Sequence, residues 1–176
     1  MPTLTAAPDF SLPGVDGRTY SLASFKDAKA LVVIFSCNHC PYVKAYEDRM
    51  IELQREFSSK GVRLAVINPN DASSHPEDSF EEMKRRAQSK GFNFPYLRDE
   101  TQEVARAYGA THTPHLFVFG PDRRLSYTGK IDDNWQEPSQ VKRRYLREAL
   151  EDLLAGRPVR EPQTHAIGCT IKWKKT

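Results

Sequence analysis

The chain has 176 residues, of which 39% are hydrophobic and 28% are charged, and its formal net charge is +3. This length and composition are those of a globular protein with one buried core. No apolar run approaches the roughly 18 residues that span a bilayer, and the small net charge does not favour binding to nucleic acid. We therefore expect neither a membrane nor a nucleic-acid partner.

The first ten residues contain neither the basic segment nor the apolar segment of a secretory leader. The sequence therefore predicts a cytoplasmic protein. Its three cysteines are too few for a disulfide scaffold. In a reducing compartment, a C-x-x-C pair is more often redox-active or metal-binding than structural.

Helical and extended patterns alternate along the first part of the chain. Turn residues within 8–25 predict a β-hairpin, and the apolar run 31–36 predicts a buried strand. Apolar residues spaced three and four apart over about 41–58 predict a long helix, and the alternation over 62–67 predicts a second strand. A segment rich in Asn, Ser, Asp and Pro predicts a loop over 68–78.

Shorter elements follow this loop. The predicted order is a helix beginning near Phe80, an extended piece at 95–97, a short helix around 104–108, two hairpin strands at 115–119 and 124–130, a last helix at about 138–155 and an irregular tail over 157–176. This pattern predicts an α/β fold in which a mixed central β-sheet carries helices on both faces and is preceded by an N-terminal β-hairpin. One domain spanning 1–176 is expected, with its core at about 6–155.

The most informative motif is Cys37-Asn38-His39-Cys40-Pro41, between the buried strand and the long helix. This position predicts that Cys37 lies at the helix N-terminus, where unpaired backbone N–H groups and the helix dipole stabilise a thiolate. The thiolate is the nucleophilic form of cysteine. The motif therefore predicts thiol–disulfide exchange, with Cys37 as an exposed attacking thiolate and Cys40, one turn into the helix, as the resolving cysteine.

The order of strand, C-x-x-C-P, helix, strand and helix, followed by Thr113-Pro114 before a hairpin and a helix, resembles the thioredoxin superfamily. The opening Ala7-Pro8-Asp9-Phe10-Ser11-Leu12 is similar to the redoxin or AhpC/TSA branch, which includes the TlpA- and ResA-like thiol oxidoreductases. The resemblance covers about residues 6–155. The Cys-Asn-His-Cys-Pro motif of this chain and its Gly-Cys-Thr-Ile-Lys-Trp tail resemble those of a little-characterised bacterial subgroup.

The resemblance implies a thiol–disulfide oxidoreductase with a thioredoxin-like fold and no cofactor. Its partners would be a protein substrate that carries a thiol or a disulfide, and a thiol reductant that recycles the enzyme. Thr113 and Pro114 resemble the cis-proline loop of the superfamily, in which Thr113 would pair with an extended substrate by strand addition. His39 resembles a histidine of the DsbA-like oxidants, and its positive charge would favour the Cys37 thiolate.

Two positions depart from the superfamily pattern. Ser36 stands where a tryptophan usually precedes the first cysteine, and the strand before the motif lacks the buried acid of thioredoxin. The loop that begins at Asp132 is expected to lie beside the motif. Asp132 or Asp133 is therefore a candidate proton relay, and Trp135 is a candidate shield for Cys37.

Two alternative functions stay open at this stage. One is a thiol peroxidase, although Ile34 and Ala30 occupy the positions where the peroxidase relatives carry Thr and Pro. The other is a copper- or zinc-binding metallochaperone, in which His112 and His115 would join the cysteines. We favour thiol–disulfide exchange over both and predict no metal site.

Cys169 is the odd cysteine of the chain. The Gly before it and the β-favouring residues after it predict an ordered extended piece. Cys169 is a third redox cysteine, a metal ligand or a packed thiol, and the sequence leaves these three roles open because it does not reveal whether the tail reaches the motif.

Overall fold

The computed structural model of the chain describes residues 4–175. Its strands and helices are β1 Ser11–Pro13, β2 Thr19–Ser21, β3 Ala30–Phe35, α1 Pro41–Phe57, β4 Val62–Asn68, α2 Phe80–Lys90, β5 Tyr96–Arg98, α3 Glu103–Tyr108, β6 His112–Thr113, β7 His115–Phe119, β8 Leu125–Gly129, α4 Tyr145–Leu154 and β9 Cys169–Thr170. Residues 1–3 and 176, the two ends of the expected domain, lie outside the described residues.

The central sheet has the strand order β5-β4-β3-β7-β8. Strand β3 runs parallel to β4 and antiparallel to β7, so the predicted mixed sheet is confirmed. All of β3 is buried because the strand is apolar on both faces and lies at the centre of the sheet.

Two hydrophobic layers cover the sheet. Helices α1, α2 and α4 pack on one face, and α3, the β1–β2 hairpin and Ile171 of the tail pack on the other. Helices on both faces and the N-terminal hairpin are therefore confirmed. No helix within residues 4–175 combines the length and the apolar surface that crossing a bilayer would require.

The last helix is shorter than predicted. Residues 138–140 form a single 3-10 turn, and α4 begins only at Tyr145. The intervening backbone is bound to the loop before it, because Asp133 N–H donates to the Arg143 carbonyl at 3.1 Å and Lys142 N–H donates to Asp133 Oδ1 at 2.9 Å. These hydrogen bonds replace the ones that an earlier helix start would have made.

The C-terminal tail folds back onto the core. Strand β9 pairs antiparallel with β6, and Ile171 is buried against the α3 face. Two backbone contacts anchor the next residue, since Asp71 N–H donates to the Lys172 carbonyl at 2.8 Å and Lys172 N–H donates to Asn70 Oδ1 at 2.9 Å. The tail around Cys169 is thus the ordered extended piece that its sequence predicts.

Candidate active site

The C-x-x-C motif occupies the loop between β3 and α1, and the helix starts at the predicted residue, after the whole motif. Helix α1 begins at Pro41, with Cys40 as its N-cap residue. The prediction that Cys37 lies at the helix N-terminus is therefore wrong: Cys37 precedes the N-cap by three residues, and Cys40 holds the helix end. Proline at the first helical position is favourable there because its missing N–H would have had no partner in the helix.

Asn38 holds the loop ahead of the helix in place. Its backbone N–H donates to Asp78 Oδ1 at 2.7 Å, and its side-chain amide donates to the Glu77 carbonyl at 2.9 Å. The Tyr96 hydroxyl donates to Asn38 Oδ1 at 2.7 Å. These bonds fix residues 37–39 in a loop conformation, which explains why the first helical turn starts after Cys40.

Several hydrogen bonds at the Cys40 sulfur favour its thiolate form. A hydrogen bond with the Cys37 thiol is the largest of the influences that lower the Cys40 pKa to about 4, against the opposing effect of burial. Further hydrogen bonds come from the Cys169 thiol and from the backbone N–H groups of Val43 and Cys169. Donors of this kind at a helix N-terminus favour the anionic sulfur.

Cys37 has the opposite character. Its hydrogen bond to Cys40 is the main cause of a raised pKa, and burial and the nearby Asp78 carboxylate raise the pKa further. The residue is 1% exposed. The prediction of an exposed Cys37 is therefore wrong, and Cys40, whose exposed fraction is 0%, is buried with it.

Asp78 is the acid that the sequence analysis missed. Its carboxylate is fully buried, and its Oδ2 lies 2.6 Å from His39 Nδ1 and accepts from the Asn70 amide at 3.0 Å. A ligand atom of each of Cys37, His39 and Asp78 lies within 4.8 Å of the other two. The motif thus has a buried carboxylate although β3 supplies none.

A topological signal could have found Asp78. Strands β3 and β4 are parallel neighbours, so the loops that follow them leave the sheet at the same edge. The loop over 68–78 follows β4 and therefore meets the motif that follows β3. Its composition alone indicated only an irregular segment.

His39 lies beside the carboxylate, with 26% of its side chain exposed. Its Nδ1 is within ion-pair distance of Asp78, but the ring is not aligned to hydrogen-bond with any described residue. The His75 ring stacks on it with centroids 5.7 Å apart. A protonated His39 would therefore be balanced by Asp78, which reduces the influence of its charge on the cysteines.

The loop before β7 closes over the two cysteines. The Thr113–Pro114 peptide bond is cis. Thr113 Oγ1 lies 3.4 Å from Cys37 Sγ, and Cys40, in its thiol form, donates to the Thr113 carbonyl at 3.4 Å. On its other side, the Thr113 backbone pairs with Cys169 of β9, so the edge expected to receive a substrate strand is covered by the tail.

Cys169 reaches the motif. Its sulfur lies 2.9 Å from Cys40 Sγ, and the residue is half-buried. Gly168 makes this approach possible, because a Cβ atom at that position would overlap the Thr113 carbonyl group. The three cysteines therefore form one cluster with Cys40 at its centre.

The loop after β8 has a structural function in this arrangement. Asp132 accepts from the Tyr46 hydroxyl at 2.7 Å and from Arg49 at 2.8 Å, and Asp133 binds the Lys142 backbone. Within residues 4–175, neither carboxylate makes a recorded contact with a cysteine. Trp135 packs against Tyr42 with ring centroids 4.3 Å apart, and it is Tyr42 that packs against the cysteine cluster.

The two histidines that flank the cis-proline loop are not gathered with the cysteines. The Thr111 N–H donates to His115 Nδ1 at 3.2 Å, and His112 Nδ1 lies 2.8 Å from Thr111 Oγ1. Among the described residues, the only group with the spacing of metal ligands is Cys37, His39 and Asp78. The metal hypothesis based on His112 and His115 is therefore not supported by their positions.

We expect His115 to make the stability of the protein pH-dependent. Burial, and secondarily His112, lower the His115 pKa to about 4, so the folded state favours the neutral ring. The neutral His115 ring should make its full contribution to the free energy of unfolding above its unfolded pKa of about 6.5. As pH falls to about 4, that contribution should decrease by up to roughly 3 kcal/mol. Urea unfolding at several pH values measures it.

The control for this effect is His165→Gln, since His165 is exposed in the tail. His115→Gln should flatten the free energy of unfolding between pH 6.5 and 4, whereas His165→Gln should leave the profile unchanged. An unchanged profile in His115→Gln would assign the acid sensitivity to other groups.

Comparisons with known proteins agree with this architecture. The AhpC/TSA family model matches residues 4–128. The thiol-disulfide oxidoreductase ResA of Bacillus subtilis is 26% identical over 119 residues, which cover 68% of this chain and 62% of that protein. Peroxiredoxins match a similar part of the chain. The chain spans less than two thirds of the length of each curated relative that it matches.

Solved structures extend the similarity over the whole chain. An uncharacterized conserved protein from Geobacillus kaustophilus is 45% identical, with a TM-score of 0.93 over 99% of this chain and 94% of that one. A thioredoxin family thiol:disulfide interchange protein from Chlorobium tepidum is 27% identical, with a TM-score of 0.61 over 73% of this chain and 86% of that one. The fold is thioredoxin-like, and the relatives with assigned activities are oxidoreductases. The chain belongs to the AhpC/TSA family, a redoxin branch of the thioredoxin superfamily.

Proposed function

We propose that the protein is a thiol–disulfide oxidoreductase that uses the Cys37–Cys40 dithiol/disulfide couple, with Cys40 as the attacking thiolate. The observation that carries this proposal is the position of the Cys40 sulfur at the N-cap of α1, beside the Cys37 thiol, with its pKa lowered to about 4. The thiolate is the attacking form of cysteine, and a second thiol in contact with it can resolve a mixed disulfide. This proposal exchanges the roles that the sequence predicts for the two cysteines.

The reaction proceeds in two steps. The Cys40 thiolate attacks a substrate disulfide, forms a mixed disulfide and releases the first substrate thiolate. The Cys37 thiol then gives up its proton and its sulfur attacks the Cys40 sulfur, which forms the Cys37–Cys40 disulfide and releases the second thiolate. That thiolate takes up the proton that Cys37 lost. A protein disulfide is reduced by two electrons, and a cellular thiol reductant restores the dithiol.

The residues around Cys40 favour disulfides over peroxides as substrates. The resemblance to peroxidases implies Thr three residues before the reactive cysteine and Pro seven before it. Counted from Cys40 these positions are Cys37 and Val33, and counted from Cys37 they are Ile34 and Ala30. In neither case does a hydroxyl residue stand three positions before the cysteine.

Metal binding is the second candidate, and one cluster favours it. Cys37, His39 and Asp78 have the spacing of ligands to one ion. Thiol ligands must be deprotonated to bind, however, and the Cys37 pKa is raised by its surroundings.

A redox titration of the Cys169→Ser variant in glutathione buffers tests the proposal without interference from the third cysteine. After acid quench, alkylation and peptide mapping, we expect one two-electron transition that links Cys37 to Cys40. Copper(I) bound to protein purified without chelator, together with no disulfide at any potential, would contradict the proposal and favour metal binding.

A further inference from the structure

The third cysteine lies closer to the motif than packing alone requires. Cys169 Sγ is 2.9 Å from Cys40 Sγ, and a disulfide bond measures about 2.05 Å. Formation of that bond would shorten the separation by only about 0.9 Å. The reduced protein therefore already holds these two sulfurs near bonding distance.

Several backbone contacts hold Cys169 in this place. Strand β9 pairs Cys169 with Thr113 of β6, and Ile171 N–H donates to the Thr111 carbonyl at 3.0 Å. Gly168 allows the tail to pass directly over the Thr113 carbonyl, where any side chain would collide. A sulfur fixed on both sides by main-chain contacts is pre-organised for reaction with its neighbour.

Cys40 therefore stands between two thiols with different exposure. Cys37 is buried beneath the loop, whereas Cys169 is half-buried at the surface of the cluster. Burial and the contact with Cys40 raise the Cys169 pKa to about 11, and Lys172 opposes this shift. Once Cys40 is part of a disulfide, it carries no negative charge and no longer raises the Cys169 pKa. The Cys169 thiolate then forms more readily.

We propose that Cys169 is a third redox cysteine, which takes the disulfide over from Cys37. The inference rests on the proposed Cys37–Cys40 couple. The Cys169 thiolate attacks the Cys40 sulfur, the Cys40–Cys169 bond forms and the Cys37–Cys40 bond breaks. The departing Cys37 thiolate takes up the proton that Cys169 lost. No electrons enter or leave, so the step needs no further reactant.

This exchange moves the disulfide from the buried side of Cys40 to the half-buried side. A thiol reductant that recycles the enzyme must reach one sulfur of the disulfide. Cys169 offers that sulfur, whereas Cys37 is covered by Thr113 and the loop. The recycling reductant implied by this geometry is a dithiol, which attacks Cys169 and releases Cys40 as the thiolate.

Peptide mapping of the oxidised Cys37→Ser variant tests the inference. We expect an intramolecular Cys40–Cys169 disulfide in the monomer, formed in the same range of glutathione potentials as the wild-type disulfide. The result that would overturn the inference is free alkylation of Cys169 at every potential at which Cys40 is oxidised. Circular dichroism and urea unfolding establish that the variant is folded.

Gly168→Ala supplies a matched variant in which all three cysteines remain. Its methyl group should move the tail away from Thr113, so the Cys40–Cys169 peptide should be lost while the Cys37–Cys40 peptide persists. Persistence of the Cys40–Cys169 peptide in Gly168→Ala would contradict the geometric argument. Two variants separate the two proposals. Absence of a Cys37–Cys40 disulfide in Cys169→Ser would refute the oxidoreductase proposal. Absence of a Cys40–Cys169 disulfide in Cys37→Ser would refute only the exchange.

Discussion

Replacing Cys40 with serine is expected to reduce disulfide-reductase turnover to the uncatalysed background, a loss of at least about 10³-fold in kcat/KM. Cys40 supplies the thiolate, and burial and the nearby Asp78 carboxylate still raise the Cys37 pKa when the contact with Cys40 is lost. Turnover of a model protein disulfide by the reduced enzyme, with a dithiol as the recycling reductant, measures the loss. Retention of full activity in Cys40→Ser would refute the proposed attacking group.

The thiolate itself gives an independent measurement. The ultraviolet absorbance of the reduced protein should include a thiolate that titrates with a midpoint near pH 4, and Cys40→Ser should lack it. Because the hydrogen bond with Cys37 is the largest stabilising influence, Cys37→Ala should raise that midpoint. If Cys37→Ala instead abolished the low-pH transition, the thiolate would belong to Cys37 and the role assignment would be reversed.

Replacing Arg49 with methionine is expected to destabilise the fold by roughly 3–5 kcal/mol, because it leaves the buried Asp132 carboxylate without its cation. Arg49 donates to Asp132 at 2.8 Å and to the carbonyls of Asn134 and Trp135 at 2.7 and 2.9 Å. One side chain therefore ties the loop after β8 to α1. The free energy of unfolding from urea titration is the measurement.

Arg55→Met is the matched control on the same helix. Arg55 pairs with Glu52, and both side chains are more than half exposed, so its loss should leave the free energy of unfolding nearly unchanged. Equal effects of the two substitutions would mean that the Arg49 contacts contribute no more than a surface ion pair. Trp135 should also become more exposed in Arg49→Met, which its fluorescence reports.

The core elements were predictable because their signals are local. The apolar run of β3 and the helical spacing of α1 indicate structure within a single segment, and both elements lie within one residue of the predicted bounds. The start of α4 was not predictable in this way. Residues 141–144 have a composition compatible with a helix, and only their hydrogen bonds to a loop ten residues earlier exclude it.

The same difference between local signals and long-range contacts explains which features of the candidate site were predictable. The C-x-x-C motif and Thr113-Pro114 are visible in the sequence, but the contacts of Cys37 and Cys40 also depend on where the helix begins. That boundary depends in turn on Asn38, which bonds to Asp78 from a distant loop. The position of Cys169 depends on the pairing of a two-residue strand, too short to give a periodic signal.

The pairing of β9 with β6 also has a thermodynamic consequence for substrate binding. A substrate segment that pairs with Thr113 competes with a ligand that belongs to the same chain, and the local concentration of that ligand does not fall when the protein is diluted. The apparent affinity for such a substrate equals its intrinsic affinity multiplied by the fraction of molecules in which the tail has left this edge. The tail would thereby lower the apparent affinity of every extended peptide that uses this edge by the same factor.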